Sequence, residues 1–410
     1  MRISSARGTE NAFRTDTCDF SATDCWVLDN DPLGSSHCDK DAAANRGVLR
    51  TVSEAERGAG SALKGRDRFE RSRGSRTART VLAAWFLLMV GAQPLSAHDA
   101  QLFTRVHPAM GTDFTLYIYA ADAAFADREA ERVFAIVDQL ESLLSNYQPQ
   151  SELSRINARA GAEAVTTDPE TFHFLEESQA WSARSDGAFD ITVGKLMKAW
   201  GFFRSTGHVP TEAELARVRA ETGWKRVVLN ASARTVRFTV PDVELDPGGI
   251  GKGFAVDAAV EALRAEGVKA ALLSAGSSTI YALGAPPDSQ GWKVRVPDPQ
   301  HKGDAISTVM LRDTSLSTAN CSEKHFVAGG HQYCHIMDPR TLHPVEGRLQ
   351  ATVIAPSATD SDALSNAMFV LDRNGRKRLM GSLPAADSAL VVLANGSVSG
   401  PVERHRWPRH

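Results

Sequence analysis

With 410 residues the chain has length for two or three domains. Its 42% hydrophobic and 23% charged content describes a globular protein with ample core material, and excludes a disordered or fibrous chain. A net charge of −3 lacks the basic footprint that a nucleic-acid partner requires. Residues 1–80 hold short polar runs of Arg, Ser, Gly and Asp without sustained periodicity. Four arginines from Arg71 to Arg79 then precede an apolar run, Val81 to Ala92, followed by Pro94 and small residues ending at Ala97. Basic, apolar and small-residue regions in that order describe a secretory signal peptide over 71–97. The apolar run is too short to span a bilayer comfortably. Residues 1–70 then read as an upstream extension, disordered or not translated, with Met1 lying before the true start. The mature chain, 98–410, is expected to be exported and periplasmic, and no cysteine follows the cleavage region to carry a lipid anchor. Cys18, Cys25 and Cys38 lie in the upstream extension. Cys321 and Cys334 either pair in an oxidising compartment or remain free buried thiols.

Beyond His98 there is no linker, repeat or low-complexity tract. "DFTLYIYA" (Asp113–Ala120) alternates as a strand does. Residues 123–144 place Val133, Ile136, Val137, Leu140 and Leu144 on one helical face. A second helix fits Pro169 to Arg184. "KRVVLN" and "RTVRFTV" flank "ASA" as a hairpin. A helix from Phe254 to Glu266 leads into the strand "KAALLSAG". Further strands are "GWKVRVP", "ISTVMLR", "LQATVIAP" and "SALVVLA", with a helix from Asp360 to about Leu371 between the last two. The class is α+β: a single domain with mixed, mostly antiparallel sheets and packed helices.

Leu245 to Asp257, "LDPGGIGKGFAVD", has the composition of a phosphate cradle opening a helix. It is not a Walker loop, since Asp246 stands where the first glycine belongs and Gly253 follows Lys252 in place of Ser or Thr. Nor is it a dinucleotide fingerprint, because Phe254 occupies the last glycine position. A plain tight turn with helix entry is the competing reading. "TDSDALSNAMF" sets Asp362 and Asn366 four apart, hence on one helical face. Their oxygens suit Mg²⁺ or Ca²⁺ rather than zinc, unless they are simply an acidic helix start beside an exposed amide. "DGAFDITVGKLMKAWGF" holds Asp190 among apolar neighbours, and "HQYCHIMDPRTLHPVEG" sets His335 and Asp338 on a strand ending in a Pro-flanked turn.

As an ordered set, "MGT", "DGAFDITVG…WGF", "D-x-GGI-x-KG-x-AVD" and "H-I-x-DP-x-T-x-x-P" closely resemble the ApbE-type FAD:protein FMN transferases, from Met110 to about Leu371. The resemblance implies FAD as substrate, Mg²⁺, and transfer of FMN to a threonine of an exported or membrane flavoprotein of an electron-transfer complex, with release of AMP. It implies flavin contacts at Met110, Tyr147, Ala188, Phe189, Asp190, Gly248, Phe254 and Ile336. The metal ligands would be Gly251 (by its backbone carbonyl), Asp362 and Asn366. His335 is the candidate base, because its unperturbed pKa lies near operating pH. Each has a plainer reading: His335 as a histidine bonded into the "DPRT" turn, Asp190 as a turn cap, Lys252 as an exposed lysine rather than a partner for phosphate. The chain departs from the family at Asn366 (usually Thr), at Ser277 and Ser278, at Asn320, Cys321 and Ser322 between a retained Thr318 and Glu323, and at Leu342 in place of glycine. These departures keep open an FAD diphosphatase that yields FMN and AMP, or a non-catalytic FAD carrier.

Overall fold

The computed structural model describes residues 100–399, apart from Glu323, Ala385 and Ala386. The expectations for residues 1–70, for the signal peptide and for Glu323 lie outside the described residues.

The frame is an antiparallel sheet of eight strands: β1 Gln101–Ala109, β2 Thr112–Ala120, β3 Ala270–Ala275, β4 Thr279–Gly284, β5 Thr314–Asn320, β6 Arg348–Ala355, β7 Ser388–Leu393 and β8 Val398–Ser399. Their order in space is their order along the chain, so the sheet is a meander into which everything else is inserted. The largest insertion, between β2 and β3, carries α1 Ala123–Leu144, α2 Glu152–Arg159, α3 Pro169–Arg184, α4 Gly194–Ala199, α5 Glu212–Glu221 and α6 Gly251–Ala265. After β6 come α7 Ala358–Val370 and α8 Arg373–Gly381.

Period-2 alternation divides the sheet's residues between two cores. On β3, Ala271, Leu273 and Ala275 join the helix-side core, while Ala270 and Leu272 pack against a hairpin, Trp292–Pro297 with Ala305–Leu311, on the other face. Both faces are covered, so β3 is buried at every position. α1 buries Ala126, Ala130, Val133, Val137, Leu140 and Leu144, a stripe spaced three and four apart, and Asp122 caps it by accepting the Phe125 N–H at 2.8 Å. Ile136 flanks that stripe, half-buried. A third, smaller core gathers Trp200, Phe202, Phe326, Met337 and Leu342. Among the described residues no helix is long and apolar enough to cross a membrane.

Two boundaries differ from the sequence expectation in ways that shape the site. α6 begins at Gly251, three residues before Phe254. Its glycines look unfavourable in a helix, yet a β-carbon at Gly253 would lie 2.2 Å from the Ala358 carbonyl oxygen, so glycine is what lets α6 and α7 meet. The strand expected through His335 and Asp338 is broken. Residues His331–Cys334 pair with His325–Ala328, Met337–Asp338 pairs with His343–Pro344, and His335 and Ile336 sit in the bend between.

Candidate functional site: a cavity between the glycine loop and a bonded hairpin

A cavity of about 710 Å³ opens beside the glycine loop. It brings together Met110, Tyr147, Ala188, Phe189, Asp190, Gly248, Gly251, His335, Ile336 and Asn366 from stretches more than 250 residues apart in the chain. Phe254 and Asp362 stand behind this lining. Phe254 is buried, its ring edge-on to Phe174 at 5.5 Å, and makes core rather than cavity wall. Asp362 is buried on α7, where one carboxylate oxygen accepts the Gly253 N–H at 3.0 Å.

The glycine loop is less open than its composition suggests. The amides of Ile250 and Gly251 donate to the Pro247 carbonyl, Gly248 donates to Asp246 Oδ1 at 2.9 Å, and Gly253 is held by Asp362. Only Gly249 and Lys252 keep backbone N–H groups without an acceptor among the described residues. The loop therefore has two open amides and the Lys252 side chain to offer an anion rather than a full cradle. A β-carbon at Gly249 would press on Phe189 at 3.2 Å and on the Asn366 amide at 3.4 Å, so a residue with no side chain is needed there too.

The residues named for a metal fit one. Asp362 meets the loop at Gly253, and Asn366 Nδ2 donates to the Gly249 carbonyl at 3.2 Å and to the Asp362 carbonyl at 3.1 Å. With its nitrogen so engaged, the Asn366 side chain lines the cavity with an amide oxygen that accepts no hydrogen bond among the described residues. Gly251 lies between these contacts. A carboxylate, an amide oxygen and a backbone carbonyl form a hard-oxygen set of the kind Mg²⁺ takes alongside substrate phosphates and water. Among the described residues no group of three His, Cys, Asp or Glu side chains forms an alternative metal centre.

On the opposite wall, the hairpin His325–Cys334 is tied to the end of β5 by a disulfide between Cys321 and Cys334, with their Cα atoms 5.2 Å apart. The Lys324 carbonyl accepts from both the backbone N–H of His335 at 3.0 Å and its Nδ1 at 2.9 Å. A carbonyl can only accept, so Nδ1 carries a hydrogen in this contact. Asp338, two residues beyond the cavity-lining Ile336, forks onto the Arg340 guanidinium at 2.8 Å and turns the chain. Leu342, where the resemblance leads one to expect glycine, holds φ at 66° and is buried, with its carbonyl accepting the Trp200 Nε1–H at 3.0 Å. Packing in the third core over-determines a backbone that leucine disfavours. At Ser277, another departure from the family, a β-carbon meets no left-handed backbone, since the left-handed position is the preceding Gly276, with φ at 58°.

Asp190 faces the cavity, but its carboxylate is engaged. It accepts from the Thr192 N–H and Oγ1, each at 2.8 Å, and from the Trp224 N–H at 2.7 Å. Burial pushes this carboxyl up, and those three donors pull it back. Met110 holds φ at 50° beside Gly111 at 73°, a two-residue turn whose twist suits the β1–β2 hairpin, and its N–H donates to Glu141 at 2.9 Å.

Sequence reading missed Asp246, Phe203 and Lys324 as cavity residues. Asp246 was legible, an acid one proline ahead of the glycines. Burial pushes its carboxyl up, opposed by the Gly248 N–H and the Asn146 and Lys324 side chains. Phe203 lies one residue beyond the quoted "WGF" run, and its ring is parallel to that of Tyr147 at 4.4 Å. Lys324 gave no local signal, being placed by backbone bonds to a residue eleven positions away.

The same chain segment matches known proteins. The ApbE family model covers residues 110–390. An FAD:protein FMN transferase of Treponema pallidum is 30% identical over 323 residues, covering 74% of this chain and 89% of that protein. One of Escherichia coli K12 is 28% identical over 312 residues, with the same coverage of each. The crystal structure of the ApbE protein of Thermotoga maritima superposes with a TM-score of 0.67 at 28% identity, covering 73% of this chain and 97% of that one. The apo flavinyl transferase ApbE of Pseudomonas stutzeri gives 0.66 at 27%, covering 73% and 95%.

Proposed function

The chain belongs to the ApbE family, and from that premise we propose that it is an FAD:protein FMN transferase that moves FMN from FAD to a threonine hydroxyl of an exported or membrane-bound flavoprotein and releases AMP. The observation that supports this most is the convergence at one cavity of the stacked rings of Tyr147 and Phe203, the Asn366 amide with Asp362 behind it, and His335, whose Nδ1 is held by the Lys324 carbonyl.

The threonine hydroxyl attacks the phosphorus on the flavin side of the diphosphate. A new threonine O–P bond forms, the P–O–P bridge breaks, and AMP leaves. His335 Nε2 takes the hydroxyl proton, and the Lys324 carbonyl keeps Nδ1–H in place so that the ring presents that nitrogen. Lys252 and Lys324 lie on the cavity wall, where their ammonium groups offset diphosphate charge. Gly251, Asp362 and Asn366 would hold Mg²⁺, which when bound neutralises charge on the diphosphate and the AMP leaving group. The leader read from residues 71–97 would deliver the enzyme to the periplasm, where its acceptor lies.

The test incubates the full chain with FAD and a threonine-bearing domain of an electron-transfer flavoprotein, with Mg²⁺ or with a chelator. The acceptor gains the mass of an FMN phosphoester only when Mg²⁺ is present. AMP without covalent flavin would mark a diphosphatase instead, and tight FAD binding with no AMP would mark a carrier.

A further inference from the structure

Tyr147 is 58% exposed, unusual for a ring expected to hold a ligand in register. It is not loose. One face of the ring lies against Phe203, parallel at 4.4 Å. Lys198 Nζ sits 4.7 Å from the centroid of Phe203. Because Tyr147 covers one face of Phe203, the ammonium occupies the other. Lys198 in turn pairs with the buried carboxylate of Glu244. Four side chains thus form a column running from a buried anion, through a cation and a first ring, to a second ring whose outer face is open at the cavity.

Local sequence builds this column deliberately. Gly201 holds φ at 71°, and a β-carbon there would come within 2.8 Å of the Gly207 backbone nitrogen, so only glycine makes the turn. The turn splits two adjacent phenylalanines: Phe202 is fully buried in the third core, while Phe203 is delivered to the cavity.

We infer that Glu244, Lys198 and Phe203 are positioning residues that hold the Tyr147 ring as a preformed platform on which the isoalloxazine of FAD stacks. This rests on the proposed flavin transfer and adds to it the device that selects a flat, electron-poor ring system. A ring already fixed loses little rotamer freedom when the flavin arrives. The platform acts on the flavin end alone, leaving the AMP half of FAD to other walls.

The test uses the full chain without added Mg²⁺, so that binding is read apart from turnover. Riboflavin, FAD and ADP are titrated, with flavin fluorescence quenching as the signal for the first two and competition against FAD for the third. Phe203→Leu keeps an apolar side chain and removes the ring. It is expected to weaken riboflavin and FAD about three- to tenfold, to reduce quenching, and to leave ADP unchanged. Lys198→Met should give the same pattern more weakly. If Phe203→Leu failed to fold, Tyr147→Leu would have to show the flavin-selective loss in its place. Unchanged flavin affinity in Phe203→Leu, or equal losses for flavins and ADP, would overturn the platform while leaving the transferase reading intact. A wild-type chain that binds no flavin would overturn both.

Discussion

The cavity has two unlike walls. One is the glycine loop with α6 and α7, in which helices approach at Gly253, a buried carboxylate closes the loop, and the core beneath is continuous with the eight-stranded sheet. The other is made of the His325–Cys334 hairpin, the bend at His335 and the turn at Gly201, fastened by a disulfide, a carbonyl with two donors and a leucine in a glycine conformation. The first wall carries the oxygen atoms proposed for a metal, and the second carries the histidine proposed as base and the aromatic column. Charge stabilisation by a metal needs donors that do not move. Proton transfer and ligand admission can be built on shorter elements, provided each is tied down individually.

The predictions set one wall against the other. The largest effect belongs to Asp362. Asp362→Asn keeps an oxygen for the Gly253 N–H, so the melting temperature should shift by only a few degrees, while Mg²⁺-dependent turnover falls at least about a hundredfold. Unchanged turnover would remove Asp362 from the metal site. On the facing wall, His335→Ala should lower kcat by about 10² to 10⁴ and leave FAD affinity within about threefold. The reverse pattern would make His335 a binding residue. Gly253→Ala forces a β-carbon onto backbone and should destabilise by about 3 kcal/mol or more, read by denaturant unfolding. A tolerated alanine would mean that α6 and α7 can part.

Smaller effects follow. Replacing both Cys321 and Cys334 by serine opens a link between residues 13 apart and should cost about 2–3 kcal/mol. Their substitution should also lower kcat more than it changes flavin affinity, since His335 adjoins the bridge. Away from the cavity lining, burial and the neighbouring Asp360 charge push the Asp387 carboxyl up to about 6, with Arg184 opposing. The folded state thus binds this proton more tightly than the unfolded chain. Stability from this group is present at low pH, declines as pH rises from about 4 through 6, and is absent above that. Asp387→Asn should therefore stabilise by about 1–2 kcal/mol at pH 8, with less gain near pH 5. An equal gain at both would show that the carboxyl is ordinary.

The two walls also differed in legibility. Helices α1 and α3, the hairpin at 227–238 and strand β2 follow from hydrophobic period and caps, which are local properties. The glycine loop was visible as a motif, but its composition pointed to a phosphate cradle, whereas most of its amides are closed by Pro247, Asp246 and Asp362. Only the packed fold shows that Gly253 serves helix contact. The facing wall was the harder one. His335 reads as part of a strand until the Lys324 carbonyl and the disulfide break it, and both are long-range bonds. Phe202 and Phe203 are identical in sequence terms, and a single left-handed glycine sends them to different places.

The division of labour between the walls is tested most directly by a crystal soaked with FAD and Mn²⁺, the manganese standing in for Mg²⁺ and located by its anomalous scattering. One strong peak bound by Asp362, Asn366 and the Gly251 carbonyl is expected, with the isoalloxazine on the open face of Tyr147 and His335 Nε2 facing the flavin-side phosphorus. Manganese held elsewhere, or a flavin lying away from Tyr147 with the metal on the hairpin wall, would contradict it.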